Sequence, residues 1–578
     1  MIYTRIFAVT PPGENAEGGL TMSEVPIVLK LTSSRTEQIF PILTSAQILR
    51  IAEHGNTRMT QQGEVLVEPG KSMVALFLVV SGEIQVVRPS GPSEIIVAVY
   101  GPGQFAGEIN LLSGRPAIHQ VRVTEPGEVI VLERNKMLAL VKTDAELGEI
   151  LMRAFILRRV ELVSAGMGNV VLIGSSHCAG TLRIKEFLMR NGHPYSYIDL
   201  DRDPDVQTFL DGFHIAVSDI PVLICPSQLV LRNPTNQQVA DFLGFNEAIN
   251  QTELRDLIII GAGPSGLSAA VYGAADGLDV LVIEANSPGG QAGSSSRIEN
   301  YFGFPTGISG QELADRAYNQ ALKFGAQILT TKATRLICDG GLYAAELENG
   351  ASISARALVI ASGAAYRRPP LENLSRFEGV GVYYGATYIE AQGCEGEEVI
   401  VVGGGNSAGQ AAVFLAQKAK RVHMLVRTEG LADTMSRYLI RRIEESPSIE
   451  LRTCTEIVSL EGSNHLESVQ WRNNATGQTE THGIRHVFVM IGAVPNTRWL
   501  DGCVALDAEG FIKTGASLTP EDLSAARWSL ARQPYLLETS LPRIFAVGDV
   551  RSGSIKRVAS AVGEGSIAMS FVYHVLQE

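Results

Sequence analysis

The alternation of apolar and polar positions changes character several times along the chain. After an irregular stretch over residues 1–35, Thr36–His54 has a helical pattern and is followed by short apolar runs punctuated by glycines, which is typical of a small β-roll. Apolar residues then recur at intervals of three and four over Asn135–Ser164, which predicts a helix. We therefore assign 36–165 to a β-rich domain, and the short strands and helices predicted over 168–246 indicate a small α/β domain.

A continuously apolar run near the middle of the chain is followed by a glycine-rich turn. Leu257–Ile260 has the composition of a parallel strand that is covered on both faces. The glycines that follow have the spacing G-x-G-x-x-G: the first allows a tight turn, the second lets the backbone approach a pyrophosphate, and the third lets helix and strand pack closely. The next strand ends in an acid whose carboxylate suits ribose hydroxyls. The pattern predicts a dinucleotide site formed by Gly261, Gly263, Pro264, Ser265, Gly266 and Glu284.

A second copy of this pattern lies downstream. An apolar strand over Val399–Val402 leads into another glycine-rich turn, and the next strand ends at Arg427 instead of an acid. A guanidinium can pair with the 2′-phosphate of NADPH, whereas an acid favours NADH. Two such units in series predict FAD in the first and NADPH in the second. The predicted NADPH residues are Gly403, Gly405, Asn406, Ser407, Ala408 and Arg427.

Residues from about 254 to the C-terminus resemble the low-molecular-weight thioredoxin reductases and their relatives with two dinucleotide domains. The resemblance rests on the segments Gly289–Gln291, Glu299–Pro305, Ala361–Gly363, Ile491–Asn496 and Ile544–Asp549. It implies two Rossmann-like domains of the three-layer ββα type: an FAD domain over 252–372 and 489–578, with an NADPH domain over 373–488 inserted between its halves. It also implies that further residues bind FAD, namely Gly290, Gln291, Asn300, Gly548, Asp549, Arg557, Val558 and Ala559.

One part of that family's pattern is missing. The family carries a C-x-x-C just before its NADPH domain, whereas this region reads Tyr383–Glu390 and contains no cysteine. Hydride transfer from NADPH to FAD needs no thiol, but the family's dithiol exchange does. We therefore expect an NADPH-dependent FAD oxidoreductase whose unknown electron acceptor is not the usual thioredoxin disulfide. Glu390 lies near where the family has an acid beside its cysteines, so it is a candidate proton shuttle, with a solvated linker residue as the alternative.

The preference for NADPH depends on basic residues near Arg427. The family uses three arginines around the 2′-phosphate, and Arg427 matches one of them. The other two positions are Thr428 and Ala432. Three arginines further along are candidate substitutes: Arg437, Arg441 and Arg442.

Residues 36–165 resemble a cyclic nucleotide-binding domain. The resemblance rests on Gly63, Gly70, Ser81–Val86 and the phosphate cassette Phe105–Pro116. It implies that Glu108 binds a ribose hydroxyl and that backbone amides from Gly107 onward hold the cyclic phosphate. The family's arginine after the proline is here Ala117, and Arg115 would have to reach back to the phosphate. A charge-assisted contact is worth about 1.5–3 kcal/mol, so we expect weak cAMP binding. A regulatory site for a cyclic nucleotide at Gly107 and Glu108 and a ligand-free structural or dimerising role both stay open.

Residues 168–246, with Ile220–Pro221 before the third strand, resemble a glutaredoxin or thioredoxin fold, in which that proline is cis. The expected C-x-x-C reads Cys178–Thr181, so one thiol remains, at a predicted helix N-terminus where the dipole favours thiolate. Cys178 is a candidate monothiol relay or sensor, or an incidental cysteine in a vestigial fold. The arrangement also resembles the flavoprotein subunit of alkyl hydroperoxide reductase. The alternative enzyme is therefore a thioredoxin- or peroxide-linked reductase that uses Cys178 with another thiol, such as Cys394.

Composition limits the classes of function. A formal net charge of −13 over 578 residues argues against nucleic acid as a main partner. No apolar run reaches the length of a membrane span, and six scattered cysteines show neither a disulfide framework nor metal-type pairing, which favours a reducing cytoplasm. We expect a cytoplasmic homodimer with no metal site and no membrane partner. The non-enzyme alternative is a redox or nucleotide sensor in which FAD and NADPH serve as ligands.

Overall fold

The computed structural model describes residues 36–578 except 73–74, 91–92, 167, 169, 177, 202–218, 225–229, 247–248, 296, 339–341, 387–390, 392, 433–434, 464 and 501. The described residues divide into two compact units. The first contains the residues up to Ser176, Ile184–Ile249 and the short segment Leu322–Gly325, and the second contains 177–183, Asn250–Ala321 and Ala326–Glu578. None of the described helices combines the length and the apolar character that a membrane-crossing helix needs.

The first unit begins with a β-roll. Its strands are β1 (Asn56–Met59), β2 (Val65–Val67), β3 (Ala75–Val79), β4 (Glu83–Ser90), β5 (Ser93–Tyr100), β6 (Phe105–Ala106), β7 (Gln120–Glu125) and β8 (Glu128–Glu133). They form two antiparallel sheets with the orders β1-β8-β3-β6 and β2-β7-β4-β5. Buried and partly exposed residues alternate along most of β7, because successive side chains of a strand point to opposite faces.

Helices flank the roll. They are α1 (Thr36–Ile39), α2 (Ser45–Ala52), α3 (Asn110–Ser113), α4 (Arg134–Thr143) and α5 (Ala145–Ser164). The single helix predicted over Asn135–Ser164 is therefore two helices. The break lies at Asp144, which has extended backbone angles and whose carboxylate accepts a hydrogen bond from the Leu147 N–H at 3.0 Å. An N-cap of this kind starts a new helix, and the apolar periodicity on either side conceals it.

A second, smaller sheet follows within the first unit. Its elements are β9 (Val171–Gly174), α6 (Ala179–Arg190), β10 (Ser196–Asp199), β11 (Val222–Ile224), β12 (Val230–Arg232) and α7 (Asn236–Phe242). The strand order is β10-β9-β11-β12, with β10 parallel and β11 antiparallel to β9. The Ile220–Pro221 bond before β11 is cis, as the resemblance to thioredoxin folds implies. The helix predicted over Pro204–Asp211 lies outside the described residues.

The second unit is built on two sheets with parallel cores. The elements up to its first connecting strand are β13 (Arg255–Ile260), α8 (Pro264–Ala275), β14 (Val280–Glu284), α9 (Gly290–Gly293), α10 (Gly310–Phe324), β15 (Gln327–Thr330), β16 (Ala333–Ile337), β17 (Tyr343–Leu347), β18 (Ser352–Ile360) and β19 (Ala364–Tyr366). The elements after it are α11 (Leu374–Phe377), β20 (Val382–Tyr383), β21 (Glu398–Val402), α12 (Asn406–Leu415), β22 (Arg421–Leu425), α13 (Arg437–Glu444), β23 (Ile449–Arg452), β24 (Thr455–Glu461), β25 (Ser468–Asn473), β26 (Thr479–His482), β27 (His486–Val489), β28 (Ala493–Pro495), α14 (Pro520–Ala525), β29 (Ile544–Ala546) and α15 (Val558–Gln577).

The first of these sheets has the order β15-β14-β13-β18-β17-β16, and β29 pairs with β18. Its strands β13, β14, β15, β18 and β29 run parallel, and β13 is buried at nearly every position, as expected of an interior strand of a parallel sheet. The second sheet has the parallel order β20-β27-β21-β22-β23, with β24-β25-β26 as an antiparallel layer beside it. The short antiparallel pair β19 and β28 links the two regions. In both sheets the first strand–turn–helix therefore lies in the interior of the sheet.

Candidate functional site

The first glycine-rich turn joins β13 to α8 and leaves no room for a side chain at two of its glycines. Gly261 has a φ of +106°, and a Cβ there would lie 2.3 Å from the carbonyl oxygen of Ala361. A Cβ at Gly266 would lie 1.9 Å from the carbonyl oxygen of Gly261. Both distances are far below van der Waals contact, so the turn closes against the end of β18 only with glycine at these positions.

The middle glycine of this turn, Gly263, has open surroundings. No described atom lies within 4 Å of the position that a Cβ would occupy. Gly263 is the N-cap of α8, no side chain caps that helix, and Pro264 lies in its first turn, where a missing N–H costs nothing. The N–H groups of Ser265 and Gly266 therefore have no side-chain cap at the positive end of a helix. These features fit the pyrophosphate of FAD.

The acid that ends β14 takes part in the turn directly. Glu284 is 9% exposed. One carboxylate oxygen accepts a hydrogen bond from the Ala262 N–H at 2.6 Å, and the other accepts one from the Asn286 N–H at 2.9 Å. The Glu284 carboxylate, which we predicted to bind a ribose, thus fixes the backbone of the turn.

Residues far apart in the sequence meet at the start of α8. A Cβ at Gly290 would lie 3.0 Å from the Cα of Gly263, so the two glycines let their backbones approach closely. A Cβ at Gly548 would lie 2.5 Å from the Oγ of Ser265. The structure therefore brings α9 and the turn after β29 to the same end of the sheet as the first glycine-rich turn.

Asp549 lies in the 3-10 turn Gly548–Val550, directly after β29. Burial raises the pKa of its carboxyl above the ordinary value, and the charge of the Lys556 amine partly opposes this effect. Its carboxylate has no hydrogen-bond partner among the described residues. A half-buried carboxylate without a partner suits a polyol, whose hydroxyls can donate to it, and thus fits the ribityl chain of FAD.

The helix α15 begins beside this turn. Arg557 is its N-cap residue, and Val558 and Ala559 form its first turn, with no side chain capping the N–H groups there. Arg557 is exposed. The uncapped donors at the positive end of the helix fit the electron-rich edge of a flavin.

Two further predicted FAD residues have different environments. The side-chain amide of Gln291 donates a hydrogen bond to the carbonyl oxygen of Ala364, which ties α9 to β19. Asn300 lies in an exposed loop, and its neighbour Glu299 forms an ion pair with Arg442 at 2.8 Å. The geometry thus gives Gln291 a structural role next to the FAD turn, and leaves Asn300 open to a ligand.

The second glycine-rich turn joins β21 to α12. Gly403 has a φ of +137°, and a Cβ there would lie 2.3 Å from the carbonyl oxygen of Met490. Gly405 is the N-cap of α12, again without a side-chain cap, and Ser407 in the first turn is exposed. Ala408, which replaces the third glycine, is fully buried. The turn repeats the first one and fits the pyrophosphate of NADPH.

The arginines near this turn do not have equivalent surroundings. Arg427 lies two residues after the end of β22 and is exposed. The Asn406 side chain accepts a hydrogen bond from the Ser436 N–H at 2.8 Å, so the start of α13, whose first residue is Arg437, is tied to the turn. Arg442 is instead held by Glu299, which makes it a poor substitute for a phosphate ligand. Arg437 and Arg441 remain as candidate substitutes, and Arg437 is the one at the start of α13 next to the turn.

The segment that carries the cysteine pair in the family lies next to α9. A Cβ at Gly385 would have the Oγ of Ser294 as its nearest neighbour, at 3.8 Å. The Tyr384 hydroxyl donates a hydrogen bond to Glu378 at 2.6 Å, and its ring stacks on Tyr366 at a centroid distance of 6.0 Å. Glu390 lies outside the described residues. The described residues Tyr384 and Gly385 thus lie near α9, which follows the first glycine-rich turn.

The cysteines are not arranged as the sequence suggested. Cys338 and Cys503 form a disulfide bond across 165 residues, with their Cα atoms 6.5 Å apart, which the scattered cysteines of the sequence did not predict. Cys394 is fully buried in a hydrophobic core and cannot act as an exchanging thiol. Cys178 is free and half-buried directly before α6, as predicted from its position. Sequence separation hid the disulfide, since only the folded chain brings its two cysteines together.

The phosphate cassette Phe105–Pro116 contains one arginine, and its side chain is engaged away from the cassette. Arg115 donates a hydrogen bond to the carbonyl oxygen of Asn191 at 3.3 Å and lies 3.9 Å from the ring centre of Phe245. It therefore does not reach back to a phosphate. Glu108 forms an ion pair with Arg159 at 3.0 Å, and Ala117 is buried.

The fold and the two turns define a flavoprotein oxidoreductase that uses two dinucleotides. A family model described as pyridine nucleotide-disulphide oxidoreductase matches residues 255–565, which is more than half of the 578 residues. The chain belongs to this family. A second model, described as cyclic nucleotide-binding domain, matches residues 57–144.

Individual relatives agree with this assignment. Thioredoxin reductase of Bacillus subtilis (strain 168) is 31% identical over 333 residues, which cover 57% of this chain and 97% of the relative. Thioredoxin reductase of Treponema pallidum (strain Nichols) is 33% identical over 318 residues, 54% of this chain and 94% of the relative. The crystal structure of Lactococcus lactis thioredoxin reductase in its FR conformation is similar with a TM-score of 0.50 and 26% identity, covering 56% of this chain and 99% of that one.

These matches confirm the predicted class of enzyme. The chain is an NAD(P)H-dependent flavoprotein oxidoreductase with thioredoxin reductase-like architecture, and its cofactors are FAD and NADPH. It has several domains with mixed sheets, and a cyclic nucleotide-binding domain precedes the reductase-like part.

Proposed function

We propose that this enzyme passes electrons from NADPH through FAD to an acceptor other than a thioredoxin disulfide. The two glycine-rich turns support the same reductive half-reaction as in the relatives. The observation that carries the proposal is on the acceptor side: residues 383–386 lie beside α9 of the FAD site and contain no thiol. Disulfide exchange requires an attacking thiolate, so electrons must leave this flavin by another route.

Each part of the site has a role in this proposal. The backbone of each turn binds a pyrophosphate, and Glu284 orients both its turn and the first ribose. Arg427, together with Arg437, attracts the 2′-phosphate of NADPH. FAD supplies the redox chemistry, because its ring accepts a hydride and releases electrons in pairs or singly. Asp549 accepts hydrogen bonds from the ribityl hydroxyls, and the uncapped start of α15 donates to the flavin ring.

The proposed layout follows the two sheets. An FAD domain over 252–372 and 489–578 surrounds an NADPH domain over 373–488. The part over 168–246 has the strand order and the cis proline that support a thioredoxin-like domain. The roll over 36–165 is proposed to regulate the enzyme.

Anaerobic rapid mixing with NADPH tests the reductase function. The flavin absorbance should bleach, and the reduced enzyme should then turn over with a water-soluble quinone or ferricyanide but not with thioredoxin. A non-catalytic sensor would stall in the reduced state with every acceptor. Brisk turnover with thioredoxin would refute the acceptor side of the proposal and leave the reductive half intact.

A gain-of-function variant tests whether residues 383–386 are the electron outlet. Gly385→Cys with Tyr388→Cys creates a C-x-x-C, and Gly385 has room for a side chain because its nearest neighbour would be 3.8 Å away. Tyr388 itself lies outside the described residues. The matched control is Gly385→Ser with Tyr388→Ser. Thioredoxin reduction by the cysteine variant alone supports the proposal, and no gain in a variant that still reduces its flavin counts against it.

Two single variants test the remaining candidates. Cys178→Ser should leave turnover with small acceptors unchanged, because the alternative that pairs Cys178 with Cys394 is opposed by the complete burial of Cys394. Glu390→Gln should slow flavin re-oxidation but not its reduction by NADPH, if Glu390 shuttles a proton. Loss of all turnover in Cys178→Ser would instead favour a thiol-linked reductase.

A cytoplasmic homodimer completes the proposal. The use of NADPH supports a cytoplasmic location, and the dimerising role considered for the roll supports a dimer. Light scattering of the purified chain measures the mass directly, and a monomer at micromolar concentration would contradict the second part.

A further inference from the structure

The β-roll and helix α5 line a pocket that opens to solvent and encloses a volume of about 70 Å³. Most of the lining side chains are apolar or aromatic, among them Ile39, Val67, Val97 and Leu162. The open mouth lets a ligand extend beyond this volume, and the apolar lining favours a ligand with an apolar body.

One buried cation in the lining has an unused donor. Arg158 of α5 is 6% exposed. Its Nε donates to the carbonyl oxygen of Ile39 at 2.9 Å, and its Nη1 donates to that of Gly107 at 2.8 Å. Its Nη2 has no hydrogen-bond partner in the described part of the chain. The guanidinium also lies over the rings of Tyr100 and Phe105, at 4.9 and 4.6 Å from their centres, so its orientation is fixed.

The charge of Arg158 has no ion-pair partner among the described residues. Glu108 forms its ion pair with Arg159, and Glu161, the other acid in the lining, is not within ion-pair distance of Arg158. A buried charge without a paired counter-ion is costly, and a ligand that brings a negative group lowers that cost.

Arg158 contacts the cassette from α5, because its Nη1 donates to the Gly107 carbonyl oxygen. Ala117 has no charge there, and Arg115 is engaged with Asn191 and Phe245. A cyclic nucleotide would also bring ribose and base atoms that need several polar partners. Besides the unused donor of Arg158, the lining offers Glu108, His119 and Glu161 as polar side chains, and Glu108 is already paired with Arg159. The remaining side chains are mostly apolar.

We propose that this cavity binds an apolar carboxylate whose negative group accepts a hydrogen bond from Nη2 of Arg158. The apolar body of the ligand fills the space between the roll and α5. This ligand class goes beyond the reductase function, and its binding can be measured whether or not the enzyme turns over.

Titration calorimetry of the full-length, FAD-loaded protein tests the proposal with three probes: octanoate, 1-octanol and cAMP. Octanoate should bind at least about tenfold more tightly than 1-octanol, which has the same apolar chain without the charge, and more tightly than cAMP. Equal binding of octanoate and 1-octanol would overturn the role of the anion. Binding of cAMP without binding of octanoate would overturn the ligand class.

Variants locate the binding group. Arg158→Met should abolish octanoate binding, whereas Arg153→Met, an exposed arginine paired with Glu149 on the same helix, should leave it unchanged. Because Arg158 also anchors two backbone carbonyls, Val97→Phe provides a second test that fills the cavity and keeps those anchors. Unchanged octanoate binding in folded Arg158→Met, or in folded Val97→Phe, overturns the proposal, and flavin content and thermal melting report folding.

Discussion

Substituting two glycines of the first turn should separate the stability of the fold from the binding of FAD. At Gly266 an alanine Cβ would lie 1.9 Å from the carbonyl oxygen of Gly261, a backbone atom that cannot rotate away. At Gly263 the same methyl group would meet no described atom within 4 Å, and the φ of −70° suits any residue. Gly263→Ala is therefore the matched control for Gly266→Ala.

The magnitudes follow from these contacts. Overpacking costs about 1–3 kcal/mol, and a clash with backbone falls at the upper end, while alanine in a helix regains about 1 kcal/mol, so Gly266→Ala should destabilise the apoprotein by about 2 kcal/mol. Gly263→Ala should leave the apoprotein unchanged or about 0.4–1 kcal/mol more stable. Its methyl group occupies the space for the pyrophosphate, so the loss of one charged hydrogen bond should weaken FAD binding about tenfold or more.

The assay uses the protein after removal of FAD. Thermal unfolding followed by circular dichroism gives the stability of each apoprotein, and quenching of flavin fluorescence gives the dissociation constant of added FAD. Wild-type stability of Gly266→Ala would show that the turn is not closed as described. Unchanged FAD affinity of Gly263→Ala would show that the pyrophosphate does not lie over Gly263.

Three further predictions concern charge and cross-links. Arg427→Glu should reduce the preference for NADPH over NADH, measured as the ratio of the two kcat/KM values, by about 1.5–3 kcal/mol, because an attractive charged contact becomes repulsive. Equal use of both cofactors by the unmodified enzyme would contradict the role of Arg427 in this preference. Burial raises the pKa of Asp549, so the apoprotein should lose stability as pH rises from the ordinary carboxyl range through the raised pKa, where the buried carboxylate becomes charged. Asp549→Asn should remove this pH-dependent loss of stability in melting experiments. The same variant should weaken FAD binding. Reducing the Cys338–Cys503 bond should destabilise the second unit by about 2–4 kcal/mol. Cys338→Ser should therefore melt at a lower temperature, and Cys454→Ser, which removes a free cysteine, is the control. An unchanged melting temperature of Cys338→Ser would show that the bond does not contribute to stability.

The sequence alone determined the parts of this protein that depend on neighbouring residues. The glycine spacing from Gly261 to Gly266 and the acid at Glu284 were sufficient to predict the first dinucleotide turn, because turn, strand and helix are all encoded within about two dozen residues. The sequence also showed directly that Tyr383–Glu390 contains no C-x-x-C. These local patterns gave the class of enzyme and its cofactors.

Only the tertiary structure decided which distant groups meet. The approach of Gly548 to Ser265, the Cys338–Cys503 bond and the burial of Cys394 all depend on packing between segments that are far apart along the chain. The environment of Arg158 also depends on tertiary packing, and the sequence does not distinguish this residue from other arginines of the helix. In the folded chain it is buried among aromatic rings with one donor unused, because the roll closes over α5 and excludes the water that would otherwise solvate it.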